Sequence, residues 1–445
     1  VAFLQEAAAD LSRWLAHAGD GSPLPHHPSP LETAPLRHGL PPRQLLADLQ
    51  RVMEGAYNPS HPGALAHLDP PPLTAAIAAE MVCAGLNNNL LAEELSPGLS
   101  RLERDLARWL ARSLGMGASA GGVPASGGSL SNLMALVTAR QSRRLADRRD
   151  AVVLCGADAH VSLDKAVMVM GLPPEALVRL PLDGQGRLES DRVAEALAAL
   201  ERRGIPVIAV VATAGTTVRG AIDPLAELAE LCRARGQWLH VDGAIGAVFA
   251  LGSSVPVALQ GLGRADSLTV NPQKLLGIPK TSSLLLLADP GALSRTFGTG
   301  LPYMEPPDDG DHGGEAGLQG TRPAEILKLW LGLRQLGLDG IDAVLQGALE
   351  RCRSLERLLQ PAAGHLECCG GPLHLLAFTP TGGDPAAAEA WSQRTRAALL
   401  EADLMLSRPL HQGRRHLKAV LGNPHTRPSD LERLATIVID SLPPR

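Results

Sequence analysis

Between Met116 and Arg322 the chain alternates short β-branched or apolar runs with helical patterns, and this rhythm limits the possible folds more than any other feature. The runs fall at residues 152–154, 207–211, 238–241, 267–270 and 283–287. Strands separated by helices cannot pair as hairpins, so the pattern predicts an α/β class with a mostly parallel sheet flanked by helices. Ligands of open α/β sheets collect at the carboxyl ends of the strands. Here those ends carry Thr213, Asp242 and Asn271, which are expected to face one crevice.

The flanking regions read differently. Residues 1–115 show helical spacing, interrupted by a Pro- and His-rich link at 22–42 and a Pro-rich turn at 69–72. After Pro323 the pattern is helical to about Leu359, followed by a strand at 374–378 and a last helix from Ser429. The expected organisation is an N-terminal helical segment (1–115), a large domain (116–322) and a small C-terminal α+β domain (323–445). The acidic, Gly-rich stretch 305–320 is long and polar for a connector and is a candidate mobile loop.

Charge and cysteine usage exclude several roles. The net charge is −5 with acids and bases interspersed, so no basic face is available to neutralise a row of phosphates, and nucleic acid is not an expected partner. The apolar runs fall short of the ~20 residues that span a bilayer. Six scattered cysteines without CxxC spacing, and no basic-then-apolar leader at the start, point to a cytoplasmic protein. Histidines near Pro25 and at His411 lack ligand partners at metal-site spacing, so no metal is expected.

Three segments carry candidate chemistry. A Gly- and Ser-rich turn from Gly121 to Ser129 leads into an amphipathic helix expected to start near Ser129 and run through Arg148. A helix N-terminus offers free N–H groups to a phosphate, although Ser129 is also an ordinary N-cap. In Trp238-Leu-His-Val-Asp242-Gly-Ala an acid follows an apolar strand, and small residues beyond it leave room for a ring. A buried carboxylate needs a cation, and a protonated pyridine nitrogen is one; a cap on the next turn would explain the acid equally. In Asn271-Pro-Gln-Lys274 a lysine stands on a turn beyond the next strand, where a lowered pKa would let it form an imine, while most lysines are solvated. The order of the three matches a doubly wound domain that binds pyridoxal 5′-phosphate (PLP). His160, in Ala157-Asp-Ala-His160, lies after another strand and could cover the ring, although a lone histidine is more often structural.

With these residues in place the chain resembles the group II PLP-dependent amino-acid decarboxylases, which include glutamate, cysteine-sulfinate, diaminobutyrate and aromatic-amino-acid decarboxylases. The resemblance rests on Leu86-Asn-Asn-Asn-Leu with Leu95-Ser-Pro, Ser126-Gly-Gly-Ser-Leu-Ser-Asn132, Asp158-Ala-His160, Thr213-Ala-Gly-Thr-Thr, His240-Val-Asp-Gly-Ala, Asn271-Pro-Gln-Lys274 and Leu327-Lys-Leu-Trp330. It implies the aspartate-aminotransferase architecture, PLP fold type I, in a homodimer with shared active sites and residues 1–115 as the dimerisation segment. It further implies that Lys274 holds PLP as an imine, Asp242 pairs with the pyridine nitrogen and His160 stacks on the ring. Thr213 and Ala244 would line the cofactor, and Gly128, Ser129 and Asn271 would hold its phosphate.

Two departures from the family pattern stand out. Gln273 occupies the place where most members have a histidine. The stretch from Asp308 to Ala316 lacks the tyrosine that usually protonates the product carbanion, which leaves Tyr303 and His312 as the nearest acids. Without such an acid, decarboxylation coupled to oxidative deamination is the alternative outcome; transamination is another reaction open to this fold, and Arg322 is the arginine to check as a carboxylate clamp. The resemblance also places His67 and Asp69 at the substrate, where Asp69 would bind a distal ammonium or instead cap the Pro-rich turn that follows it, and brings Asn89 and Leu91 in from the other subunit. Aromatic residues make up 2% of the chain, so a small polar or charged aliphatic substrate is expected in preference to an aromatic one.

Overall fold

A computed structural model describes residues 1–25, 30–307, 311–382 and 384–443. His26 and His27, and residues 308–310 of the expected mobile stretch, lie outside these described residues. The chain divides into two compact units that do not follow chain order: Val1–Pro71 with Gly347–Cys369 and Leu376–Arg445, and Pro72–Gln346 with Gly370–Leu375. The contacts thus divide the chain elsewhere than at 115 and 322.

In the larger unit the seven strands are β1 (Gly121–Ala125), β2 (Val152–Gly156), β3 (Leu177–Leu180), β4 (Val207–Thr213), β5 (Leu239–Gly243), β6 (Ser267–Val270) and β7 (Ser283–Leu287). They form one sheet in the order β1-β7-β6-β5-β4-β2-β3. Neighbours from β6 through β3 run parallel, and β7 runs antiparallel to both β1 and β6. The mostly parallel α/β sheet expected from the alternating pattern is the one observed. Every residue of β4 is buried, as a parallel strand covered on both faces requires.

Its first helices are α1 (Thr74–Leu86), α2 (Pro97–Ser113) and α3 (Gly128–Ser142), the last packed against the sheet through Met134, Ala135, Leu136 and Ala139. Two local expectations need correction. Gly121–Ala125 is a strand at the sheet edge, paired antiparallel with β7, instead of a turn. The helix expected to reach Arg148 ends at Ser142, and Arg144 beyond it takes a left-handed φ of 56° that no helix continues through. The long helix Ile326–Leu359 is interrupted at Gly337, whose φ of 62° and ψ of −178° are open to glycine.

The second unit carries a three-stranded sheet formed by Leu366–Gly370, Leu375–Pro380 and Leu417–Val420. Leu65, Phe378, Trp391, Leu406 and Leu434 fill its core. Among the described residues no helix is long and apolar enough to cross a membrane, and no cluster of His, Cys, Asp and Glu is arranged to hold a metal ion.

The sheet edge sets a test. A Cβ on Gly122 would lie 2.0 Å from the Leu285 carbonyl oxygen, so the two backbones can approach only without a side chain. Gly122→Ala should cost more than ~2 kcal/mol in chemical denaturation, whereas Gly117→Ala, with open space around it, should change little. Equal stabilities would contradict the close β1–β7 approach.

Candidate active site

Strand ends and the start of α3 converge on one cavity of about 220 Å³ in the larger unit. Its wall contains Gly128 and Ser129 from the first turn of α3, His160 from the turn after β2, and Thr213 at the end of β4. Asp242 and Ala244 from the end of β5, and Asn271 and Lys274 from the turn after β6, complete the set read from the sequence. Strand register explains this convergence: Thr213 pairs with Asp242, and Asp242 with Thr269, so three parallel strands reach the cavity at one level.

Asp242 is buried, and both its oxygens accept hydrogen bonds. Asn132 Nδ2 donates to Oδ2 at 2.9 Å, and the Ala244 N–H donates to Oδ1 at 3.1 Å. Asn132 also touches Ser162, His240 and Thr269. Among these groups the sequence pattern assigned no role to Asn132, Ser162 or His240. A signal was present in Ser131-Asn132, two polar residues on the face of α3 that the sheet buries. Burial lowers the pKa of His160, opposed by nearby Asp242, and burial also pushes His240 well down, so both rings are neutral near pH 7.

The phosphate end has its own geometry. Gly127 starts α3 with a φ of 100°, and a Cβ on Gly128 would fall 2.9 Å from Asn271 Nδ2. Asn271 Oδ1 is buried without a protein partner. Gln273, which also lines the cavity, is fixed: its Oε1 accepts from the Ser282 N–H at 2.5 Å.

Arg322 is not available to a substrate carboxylate. It is buried, and its two terminal nitrogens hold both oxygens of Glu103 in a bidentate pair, 2.6 and 2.5 Å. The remaining sequence candidates do not line the cavity. Tyr303 is 70% exposed, and His312 is buried with Nδ1 accepting from the Glu93 N–H at 3.3 Å. Asn89 Oδ1 accepts from the N–H groups of Leu91 and Arg322, fastening its own turn. His67 and Asp69 belong to the other unit, where His67 meets Tyr57 edge-on and burial, with nearby Asp69 adding to it, raises the Tyr57 hydroxyl pKa.

An amine, a buried carboxylate and a helix N-terminus around one cavity are the groups that a phosphorylated pyridine cofactor requires. The comparisons with known proteins agree. A pyridoxal-dependent decarboxylase conserved domain matches residues 25–375. L-2,4-diaminobutyrate decarboxylase of Rhizobium meliloti (strain 1021) is 33% identical over 398 residues, covering 87% of this chain and 80% of that protein. Aromatic-L-amino-acid decarboxylase of Bacillus atrophaeus is 32% identical over 330 residues, 73% of this chain and 69% of that protein. The crystal structure of mouse CSAD has the same fold, with a TM-score of 0.90 at 24% identity over 98% of this chain and 97% of that one. The chain therefore belongs to the pyridoxal-dependent decarboxylase family and is a lyase that uses PLP to decarboxylate an amino acid.

Asp223 supplies a pH test for the framework of this site. Its carboxylate accepts from the N–H groups of Leu188 and Thr213, 2.7 Å each, and so fixes the end of β4. Burial nonetheless raises its pKa from 3.8 to about 6, with those two bonds opposing. The folded chain thus favours the protonated acid: this contribution to stability is complete below pH 4 and is lost as pH rises through about 6, ~3 kcal/mol in all. The stability difference between wild type and Asp223→Asn, measured by denaturation from pH 4 to 7, should carry that slope. A difference independent of pH would contradict it.

Proposed function

We propose that the enzyme decarboxylates a small polar or charged aliphatic amino acid to an amine and carbon dioxide. The observation that supports the substrate class is the scarcity of aromatic residues, 2% of the chain, which leaves an aromatic substrate few side chains to stack on. The curated relatives include enzymes named for both kinds of substrate, so the choice rests on the residues.

Bound PLP supplies an electron sink for the pair left by the departing carboxylate. Lys274 would hold the cofactor through its amine, Asp242 would keep a proton on the pyridine nitrogen, His160 would cover the ring, and Thr213 and Ala244 would leave it room. Gly128, Ser129 and Asn271 would hold the phosphate. Because Arg322 is committed to Glu103, it leaves the α-carboxylate unclamped, as departure requires and transamination does not.

The test is product analysis with PLP over a panel of amino acids, following carbon dioxide, amine, aldehyde and hydrogen peroxide. Carbon dioxide with an equal amount of amine from aliphatic substrates is expected. Best turnover with tyrosine or tryptophan would reject the substrate class. Aldehyde with peroxide would favour the second reading, which rests on the lack of a tyrosine between Glu305 and Gly320. Lys274→Ala should lose the visible absorbance band of bound PLP and lower turnover by more than ~1000-fold.

We also propose a cytoplasmic homodimer in which residues 1–115 serve dimerisation and Asn89 and Leu91 reach the other subunit's site. Lys274→Ala mixed with the double variant Asn89→Ala/Leu91→Ala should then regain about one quarter of wild-type activity, since half the dimers are hybrids with one intact site each. No recovery after verified subunit exchange would rule out sharing of these residues.

A further inference from the structure

Between α3 and the sheet lies a set of polar side chains that the reaction does not visibly need. Asn132, His240, Ser267 and Thr269 are all at most 1% exposed. Buried polar groups are costly unless paired, so the pattern of their bonds carries information.

The donors can be assigned from the Asp242 end. An Asn132 carbonyl oxygen turned toward Asp242 would face a carboxylate at 2.9 Å, so Nδ2 takes that place, and Oδ1 faces His240 Nε2 at 3.1 Å and Thr269 Oγ1 at 2.7 Å. A carbonyl oxygen can only accept, so Nε2 carries the proton of the neutral His240 ring, and Thr269 donates as well. His240 Nδ1 then accepts from the Ser267 hydroxyl at 2.9 Å, and Ser267 Oγ accepts the Trp238 indole N–H at 2.9 Å. On the other side, His160 Nδ1 accepts the Ser162 N–H at 3.2 Å and so bears no proton. The Ser162 hydroxyl, 2.9 Å away, donates to it, and Ser162 Oγ is left to accept from Asn132 Nδ2 at 2.9 Å, which agrees with that orientation.

We propose that Asn132 is a positioning residue at the centre of a one-way relay, Trp238 to Ser267 to His240 to Asn132 to Asp242, which reserves the Asp242 carboxylate for the pyridine nitrogen of PLP. The assignment rests on the PLP reading of this cavity. Each group that donates to Asp242, the Asn132 amide and the Ala244 N–H, is neutral, so these bonds fix the carboxylate and leave its charge in place. A cationic ring nitrogen entering the cavity that Asp242 lines meets that charge already oriented. The same amide ties Asp242 to His160 through Ser162, so the group beneath the pyridine nitrogen and the group that covers the ring are set by one side chain.

The test uses the full-length protein with 15N-labelled PLP and with 15N-labelled histidine, comparing wild type, Asn132→Asp and Asn132→Ala. Asn132→Ala removes the amide that orients Asp242, whereas Asn132→Asp keeps the size and sets a second carboxylate beside it; a pair that shares one proton still carries the single negative charge that Asp242 carries in wild type. The expected result is a protonated ring nitrogen in wild type and in Asn132→Asp, a ring nitrogen that loses its proton at lower pH in Asn132→Ala, and PLP affinity weakened roughly 10-fold in Asn132→Ala. A purely structural role predicts weaker binding with the ring-nitrogen titration unchanged; a wild-type ring-nitrogen titration in Asn132→Ala would overturn the proposal.

Imidazole nitrogen shifts of cofactor-free wild type provide a check independent of PLP. His240 should carry its proton on Nε2, and a proton on Nδ1 would overturn the relay. If Asn132→Ala does not accumulate folded, the His240 tautomer of the wild type decides the relay by itself. Failure of wild type to bind PLP would reject the cofactor reading, whereas the His240 tautomer would still decide the direction of the relay.

Discussion

A carboxylate set in the middle of a parallel sheet needs compensation worth several kcal/mol, and much of the larger unit is arranged around that need at Asp242. Two neutral N–H groups hold its oxygens without cancelling its charge. That arrangement fixes where α3 lies, because Asn132 has to reach β5 from one helix face while Met134 and Leu136 still pack. It also constrains the neighbouring position in β5. A Cβ on Gly243 would lie 2.9 Å from the Thr269 carbonyl, so the close β5–β6 approach depends on a residue without a side chain.

The interior of this sheet is readable from apolar spacing, and its margins are not. Residues 267–270 and 283–287 are strands at the boundaries that the spacing indicates, and the runs at 152, 207 and 238 fall within one or two residues of β2, β4 and β5. These strands are covered on both faces and read as continuous apolar runs. The two strands that spacing missed, β1 and β3, are the sheet's two edges. Gly121-Gly122-Val-Pro-Ala has poor strand propensity, and Pro124 is tolerable because an edge strand leaves one side of its backbone unpaired. What makes this segment a strand is the antiparallel partner β7, a long-range contact that local composition does not encode.

The site divides in a similar way. Lys274, Asp242 and Thr213 were legible because each is a polar residue at or beyond the end of an apolar strand, and their placement around one cavity comes from parallel register. Asn132 and His240 were present in the same motifs without an assigned role. Nothing in a linear pattern distinguishes a polar residue that faces solvent from one whose partner lies on another element 108 positions away. Gln273 lies between these cases: its departure from the family pattern was visible, but its bond to the Ser282 N–H was not.

The pairing of Arg322 with Glu103 limits how this site can change over evolutionary time. Each partner is buried, so replacing Glu103 alone strands a guanidinium, and replacing Arg322 alone strands a carboxylate. The two positions are expected to be inherited as a unit, because any stepwise replacement of the pair passes through one of these costly single variants.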